Sequence, residues 1–262
     1  MTGRHPIEIT PPDLSGYKAG NTGVDYVHVP TTLLAMVDSS LGGKTGVNLR
    51  AGKNLVGAFH HPKMVLIDPE VLRTLPEREL RAGLFEVIKC GIIRSRPLFD
   101  FMERNHAALM DQDLPALTRV IRESLLIKAR VVSEDEREDG LRRILNFGHT
   151  IGHALEAETR YSYFLHGEAV AWGMRGATLI GERLGMISGA EAARIHSLTM
   201  AYGPLPPLDG LKAASLIYRL PADKKTRNGV VHFVLPQQIG KVKVVPGVRA
   251  SVLEKALEAL FQ

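Results

Sequence analysis

The sequence predicts an α+β chain in two parts, a small α/β segment followed by a mostly helical domain. Short apolar runs bounded by proline or glycine occur early, at Tyr26–Val29 and Met64–Ile67. From Thr74 onward apolar residues instead recur at helical spacing over long stretches, which puts the boundary near residues 74–78. The 262 residues are 45% hydrophobic and 23% charged, enough to bury a sizeable core and ordinary for a globular protein.

Residues 1–24 are polar, rich in proline and glycine, and read as irregular. Tyr26–Val29 is aromatic and β-branched and stops at Pro30, as a short strand would. Thr31–Ser40 is an apolar segment closing on Asp38-Ser39-Ser40, and it leads into the glycine loop Leu41–Asn48. Met64–Ile67 reads as a buried strand, after which Asp68 and Pro69 offer the N-cap and first-turn proline of a short helix. Thr74-Leu75-Pro76-Glu77 matches a capping box, and Leu80, Leu84, Val87, Ile88 and Ile92 then form an apolar helical stripe. Helical patterns recur around residues 117–133, 144–158, 167–184 and 190–202, with an acidic run at 134–139. Late in the chain VVHFVLP and KVKVV, separated by QQIG, read as a hairpin, and Val252–Phe261 reads as a last helix.

The single cysteine, Cys90, cannot form an internal disulfide and reads as helix packing. No apolar run reaches membrane-spanning length, and Met1–Asn21 lacks the apolar segment of a signal peptide; a cytoplasmic location is expected. A net charge of +5 suggests nucleic acid or small acidic ligands. Aromatics are only 6%, and no basic tract or zinc-finger cysteine pattern is present, so no nucleic-acid partner is expected. The dispersed lysines and arginines favour a phosphorylated or carboxylated metabolite.

The segment NFGHTIGHALEA is the most informative. On a helix His149 and His153 share a face, and His166 follows after a short turn-prone stretch, so three imidazoles can converge on a divalent metal. The bland alternative is a structural histidine pair. Thr150 stands where a zincin carries its general-base glutamate, which excludes that motif. Glu86 and Lys89 lie three apart behind Ala82 and Gly83. They are either a metal ligand with its partner or a surface ion pair. In Ser39–Asn54 the glycines with Lys44, Lys53 and Asn54 can cradle a phosphate, or the stretch is an ordinary surface loop; Asp38 occupies the glycine position a P-loop needs. Lys128 falls on the apolar stripe of Ile121, Leu125 and Val132, where an inward lysine needs an anionic partner or must snorkel. Arg142 offers a forked guanidinium for a carboxylate.

Taken in order, VPTTLLAMVDSSLGGKTGVN, GKNLVGAFHHP, EVIKCG, KARVVSEDE, GLRRILNFGHTIGHA and HGEAVAWGM strongly resemble 3-dehydroquinate synthase, one of the sugar-phosphate cyclases. The resemblance runs from about Val24 to the end of the chain. It implies a zinc or cobalt ion held by Glu86, His149 and His166, with His153 contacting substrate rather than metal. It further implies substrate contacts from Lys44, Lys89, Lys128, Arg142, Asn54 and Asn146, with Lys225, or else Lys224, reaching the phosphate. His153, Lys89, Lys44 and Asn146 would take the catalytic roles. Thr31, Thr32, Asp38, Lys53, Thr74 and Leu75 match positions that line an NAD pocket.

The implied reaction is that of a phosphorus-oxygen lyase of the shikimate pathway. It converts 3-deoxy-D-arabino-heptulosonate 7-phosphate to 3-dehydroquinate and phosphate through transient NAD oxidation, phosphate elimination, re-reduction and aldol closure. Residues 1–77 then read as a partial, Rossmann-like nucleotide-binding domain and 78–262 as the metal- and substrate-binding domain, with a homodimer expected. The sequence departs from the family in two ways. The earlier strands and glycine-rich pyrophosphate turn are missing, and Thr22 stands where the family has a basic residue. A truncated enzyme with an incomplete NAD site is therefore expected. The alternatives are another cyclase, such as a 2-epi-5-epi-valiolone synthase, or a non-catalytic metal-binding relic. Asn146 and the Lys224–Lys225 pair favour the dehydroquinate enzyme.

Overall fold

The structure, a computed structural model, describes residues 24–49, 52–57, 60–135, 140–220 and 231–261, with residues 47–56 given by backbone alone. Its front carries two small sheets. In the first, β1 (Val27–His28) pairs in parallel with β4 (Met64–Val65) in the register Val27 to Met64 and His28 to Val65. In the second, β2 (Val47–Leu49) pairs antiparallel with β3 (Gly52–Val56). The strands predicted at Tyr26–Val29 and Met64–Ile67 are therefore present but shorter. The second is not the buried strand expected, since Met64 and Leu66 are 59% and 56% exposed with only the short β1 beside it among the described residues. Between β1 and β2 the apolar segment winds into a π-helical turn, Ala35–Ser39, whose wide pitch is marked by the Ser40 amide reaching the Ala35 carbonyl. Met36 and Val37 on this turn, and Leu33 just before it, are buried in the main core.

Asp68 caps the next segment as expected, accepting from the Glu70 amide at 3.0 Å, and Pro69–Thr74 forms a 3-10 turn. The capping box predicted at Thr74–Glu77 does not form. Thr74 is already the last residue of that turn and its hydroxyl donates back to the Val71 carbonyl, while extended Pro76 precedes the helix and has no capping side chain.

The helical body is built on α1 (Glu77–Arg94). The five stripe residues are all buried, but so is every residue from Ala82 to Ile93. A helix buried all round is a core helix rather than an amphipathic surface one, so the stripe understates its burial. Around it lie α2 (Arg96–Arg104), α3 (His106–Met110), α4 (Leu114–Glu134), α5 (His149–Glu158), α6 (His166–Arg183), α7 (Gly189–Ala201), α8 (Ala213–Arg219) and α9 (Ala250–Leu260). The predicted hairpin is present as β5 (His232–Gln238) and β6 (Lys241–Pro246), antiparallel, with β5 packed on α6 and β6 on α1.

The single helix predicted over 144–158 is broken. Leu141–Asn146 is a 3-10 turn, Phe147 is extended, and Gly148 takes a left-handed φ of 80° before α5 begins. A left-handed residue cannot continue a right-handed helix, and glycine adopts it without steric cost. The break lets His149 start a new helix on a new axis.

Candidate active site

Three elements deliver the predicted metal ligands. Glu86 comes from the middle of α1, His149 from the first turn of α5 and His166 from the first residue of α6. The ligand atoms of the three residues all lie within 4.8 Å of one another. Glu86 Oε1 is 3.9 Å from His149 Nε2 and 4.0 Å from His166 Nε2. A tetrahedral ion about 2 Å from each donor needs donors roughly 3.4 Å apart, so a contraction of about half an ångström brings Glu86 Oε1 to that spacing from both imidazoles.

The donor chemistry fits such an ion. Glu86 is 1% exposed, yet its Oε1 has no hydrogen-bond partner among the described residues. Oε1 faces the two ring nitrogens, and Oε2 is ion-paired with the ammonium of Lys89, itself 2% exposed. Such a group is costly to bury without compensation, and a cation at Oε1 supplies it. The imidazoles are aimed from behind. His149 Nδ1 sits 3.1 Å from the Phe147 carbonyl, which only accepts, so Nδ1 carries the proton and the Nε2 lone pair faces Glu86. The surface ion pair considered for Glu86 and Lys89 is thus a buried one.

Two local features bring α6 onto α1. Gly167 packs so closely that a Cβ there would lie 2.0 Å from the Ala82 carbonyl oxygen. Beside it, buried Glu168 accepts from the Leu165 amide at 2.8 Å and takes a forked pair of bonds from Arg78 Nε and Nη2, at 2.6 and 2.7 Å. This arrangement locks the first turn of α6 to the first turn of α1 and carries His166 with it.

His153 follows His149 by one turn, with its ring 5.4 Å from that of His149 and 6.1 Å from that of His166. Lys128, buried on α4, does find the anionic partner its position demands, since its ammonium donates to the carbonyl and carboxylate of Asp38. Burial alone would raise the Asp38 carboxyl. The nearby charges of Lys128 and Lys89 outweigh that and hold it well below the usual carboxylate range. Burial likewise works against a charged Lys89, but Glu86 and Asp38 together raise its pKa above the ordinary lysine value. Arg142 is buried and donates through Nη2 to the Gly42 carbonyl at 2.8 Å. The glycine loop, Lys128 and Arg142 therefore meet at one place.

The remaining predicted positions lie around this centre or outside it. Asn146 ends the 3-10 turn before Phe147. Lys44 is exposed after the glycine pair. Thr32 caps the turn behind it, accepting from the Ala35 amide at 3.1 Å, while Thr31 and Thr74 are exposed and Leu75 packs on the core. Lys53 and Asn54 lie on β3 by backbone, their side chains outside the described residues, as are Lys224, Lys225 and Thr22. Cys90 is inert packing, because burial raises its thiol to about 11. Sequence reasoning missed Glu156, Arg78 and Glu168. Glu156 was detectable, since it continues the His149–His153 face at i+7.

Comparisons with known proteins identify the relatives of this chain. The sequence profile described as 3-dehydroquinate synthase C-terminal matches residues 83–226, and the profile described as 3-dehydroquinate synthase N-terminal matches residues 10–82. The chain is 54% identical over 250 residues to the 3-dehydroquinate synthase of Koribacter versatilis, covering 95% of this chain and 68% of that protein. It is 51% identical over 249 residues to that of Solibacter usitatus, covering 94% and 70%. The chain thus spans about two thirds of the length of these relatives.

Among solved structures, a 2-epi-5-epi-valiolone synthase from Streptomyces hygroscopicus with NAD+ and Zn2+ bound superposes with a TM-score of 0.83. It is 33% identical, over 90% of this chain and 66% of that one. A 2-deoxy-scyllo-inosose synthase complexed with carbaglucose-6-phosphate, NAD+ and Co2+ gives a TM-score of 0.80 at 30% identity, over 90% and 67%.

Proposed function

The chain belongs to the 3-dehydroquinate synthase family, and from that premise we propose that it acts in the conversion of 3-deoxy-D-arabino-heptulosonate 7-phosphate to 3-dehydroquinate and phosphate. The observation that carries the reading is the convergence of Glu86, His149 and His166 with an unsatisfied buried carboxylate oxygen at its centre. When bound, a zinc or cobalt ion there supplies polarisation of a substrate hydroxyl, and NAD supplies a reversible hydride acceptor.

The chain's own residues do the rest. Lys89 holds Glu86 Oε2, which keeps Oε1 turned to the imidazoles. His153 stands beside both ligand rings, where it can orient a substrate oxygen and hold or give up a proton. Lys128 and Arg142 meet at the glycine loop and anchor the substrate carboxylate, Lys128 exchanging Asp38 for it. Lys44, Asn54 and Lys225 take the phosphate, and Asn146, at the end of the 3-10 turn, contacts the sugar hydroxyls. Thr31, Thr32, Asp38, Lys53, Thr74 and Leu75 take the NAD side, on what we read as the Rossmann-like portion ending near residue 77. We read the assembly as a cytoplasmic homodimer.

The family assignment favours the heptulosonate phosphate over the substrates of other cyclases. Relatives named 3-dehydroquinate synthase reach 54% identity, against 33% for the valiolone synthase structure. The test is phosphate release by the protein supplied with NAD and zinc or cobalt. Turnover of 3-deoxy-D-arabino-heptulosonate 7-phosphate and not of sedoheptulose 7-phosphate is the expected result. The reverse preference, or release independent of metal, contradicts the proposal.

A further inference from the structure

We infer that Glu156 is a positioning residue of the metal centre, holding the His166 imidazole so that its Nε2 faces Glu86. This rests on the metal reading above. Glu156 lies on α5 at i+7 from His149 and i+3 from His153, so all three side chains share one face of that helix. It is 3% exposed, and its Oε1 lies 3.1 Å from His166 Nδ1. A carboxylate only accepts, so the shared proton sits on Nδ1 and leaves the Nε2 lone pair for a cation. That Nε2 is the atom 4.0 Å from Glu86 Oε1.

The two histidine ligands are thus set in the same tautomer by different means. His149 uses a backbone carbonyl fixed by the turn at Phe147, and His166 uses a buried acidic side chain. Only the second can be altered without touching the backbone.

The same atoms admit a rival arrangement. His153, Glu156 and His166 also bring their ligand atoms within 4.8 Å of one another. There His166 would bind through Nδ1, and the bond to Glu156 Oε1 would give way to metal coordination. The geometry points away from it. Glu156 Oε1 already accepts from a ring N–H, and breaking that bond is the cost of the rival. Glu86 Oε1, by contrast, has no hydrogen-bond partner among the described residues and lies 3.9 and 4.0 Å from two ring Nε2 atoms. Glu156 Oε2 likewise accepts no hydrogen bond there, so a glutamine variant is needed to test Glu156 as a ligand.

Zinc affinity by chelator competition, with the Co2+ absorption spectrum as a second readout, distinguishes these outcomes in wild type, Glu156→Ala, Glu156→Gln and Glu86→Ala. Wild type should bind one ion per chain, and Glu86→Ala should not hold it. Glu156→Ala should bind about 10- to 100-fold more weakly with an altered cobalt band. Glu156→Gln, whose amide oxygen still accepts from Nδ1–H, should recover most of the affinity and the wild-type band, which a purely structural role would not explain. Wild-type affinity and spectrum in Glu156→Ala overturn the inference and leave the metal reading standing. Two ions per wild-type chain, or loss in Glu156→Gln equal to that in Glu86→Ala, overturn it by making Glu156 a ligand. No zinc bound by wild type sinks the metal reading first. If Glu156→Ala does not fold, the glutamine variant decides alone.

Discussion

Val27, Val29, Met64 and Leu66 on and beside the parallel strand pair are 53–60% exposed, whereas every residue from Ala82 to Ile93 on α1 is buried. Parallel strands are ordinarily covered on both faces, so the front of the molecule and its helical body hold their functional residues in different ways. In the body, Glu86, His149 and His166 are fixed by helices whose backbones touch. In the front, Lys44, Lys53 and Asn54 sit on a glycine loop and a short strand. Precision at a site follows the packing beneath it, so the proposed metal centre rests on tightly packed helices, and the proposed phosphate and nucleotide contacts rest on lighter support.

The largest effect is expected where the body is tightest. Gly167→Ala places a Cβ against the Ala82 carbonyl oxygen, a backbone atom that cannot swing aside. It should cost about 3 kcal/mol in denaturant unfolding and lower zinc affinity with it, because α6 must back away from α1. A glycine variant that unfolds normally and keeps its zinc would show that the close approach does not set the site. Next, Arg78→Ala leaves the buried Glu168 carboxylate without its forked partner. A loss of about 1–3 kcal/mol is expected, and Arg78→Lys should recover only part, since an ammonium cannot make both bonds.

A third contrast is with pH. His196 on α7 has both ring nitrogens enclosed with no hydrogen-bond partner among the described residues. Burial first, and the charge of Arg175 second, lower its pKa from 6.5 to about 4. The unfolded imidazole takes a proton at higher pH than the folded one. The stability His196 gives at neutral pH is therefore lost as pH falls from about 6.5 towards 4. His196→Leu should flatten that limb of an acid-unfolding profile, and an unchanged limb would assign it elsewhere. The smallest effect belongs to the front: Val27→Thr, on an exposed strand, should alter unfolding free energy by less than about 0.5 kcal/mol.

These contrasts also explain what the sequence made legible. The i, i+4 histidines, the following His166 and the glutamate ahead of Lys89 stand in short stretches whose spacing survives translation into helices. The hairpin and the long helices were readable for the same reason, as runs of local pattern. The Arg78–Glu168 clamp was not, because its partners lie 90 residues apart and meet only through the packing of α6 on α1. The break at Gly148 was hidden because apolar spacing continues across it, and α2, α3 and α8 are too short to give a periodic signal. The Lys128–Asp38 pair was half legible: the inward lysine demanded an anion, but nothing local said which.

The division of labour among the three histidines is the centre of the account, and elemental analysis of purified His149→Ala, His166→Ala and His153→Ala variants tests it most directly. The expected result is loss of bound zinc in the first two and retention in the third. Equal loss in all three, or zinc retained without His149 or His166, would contradict it.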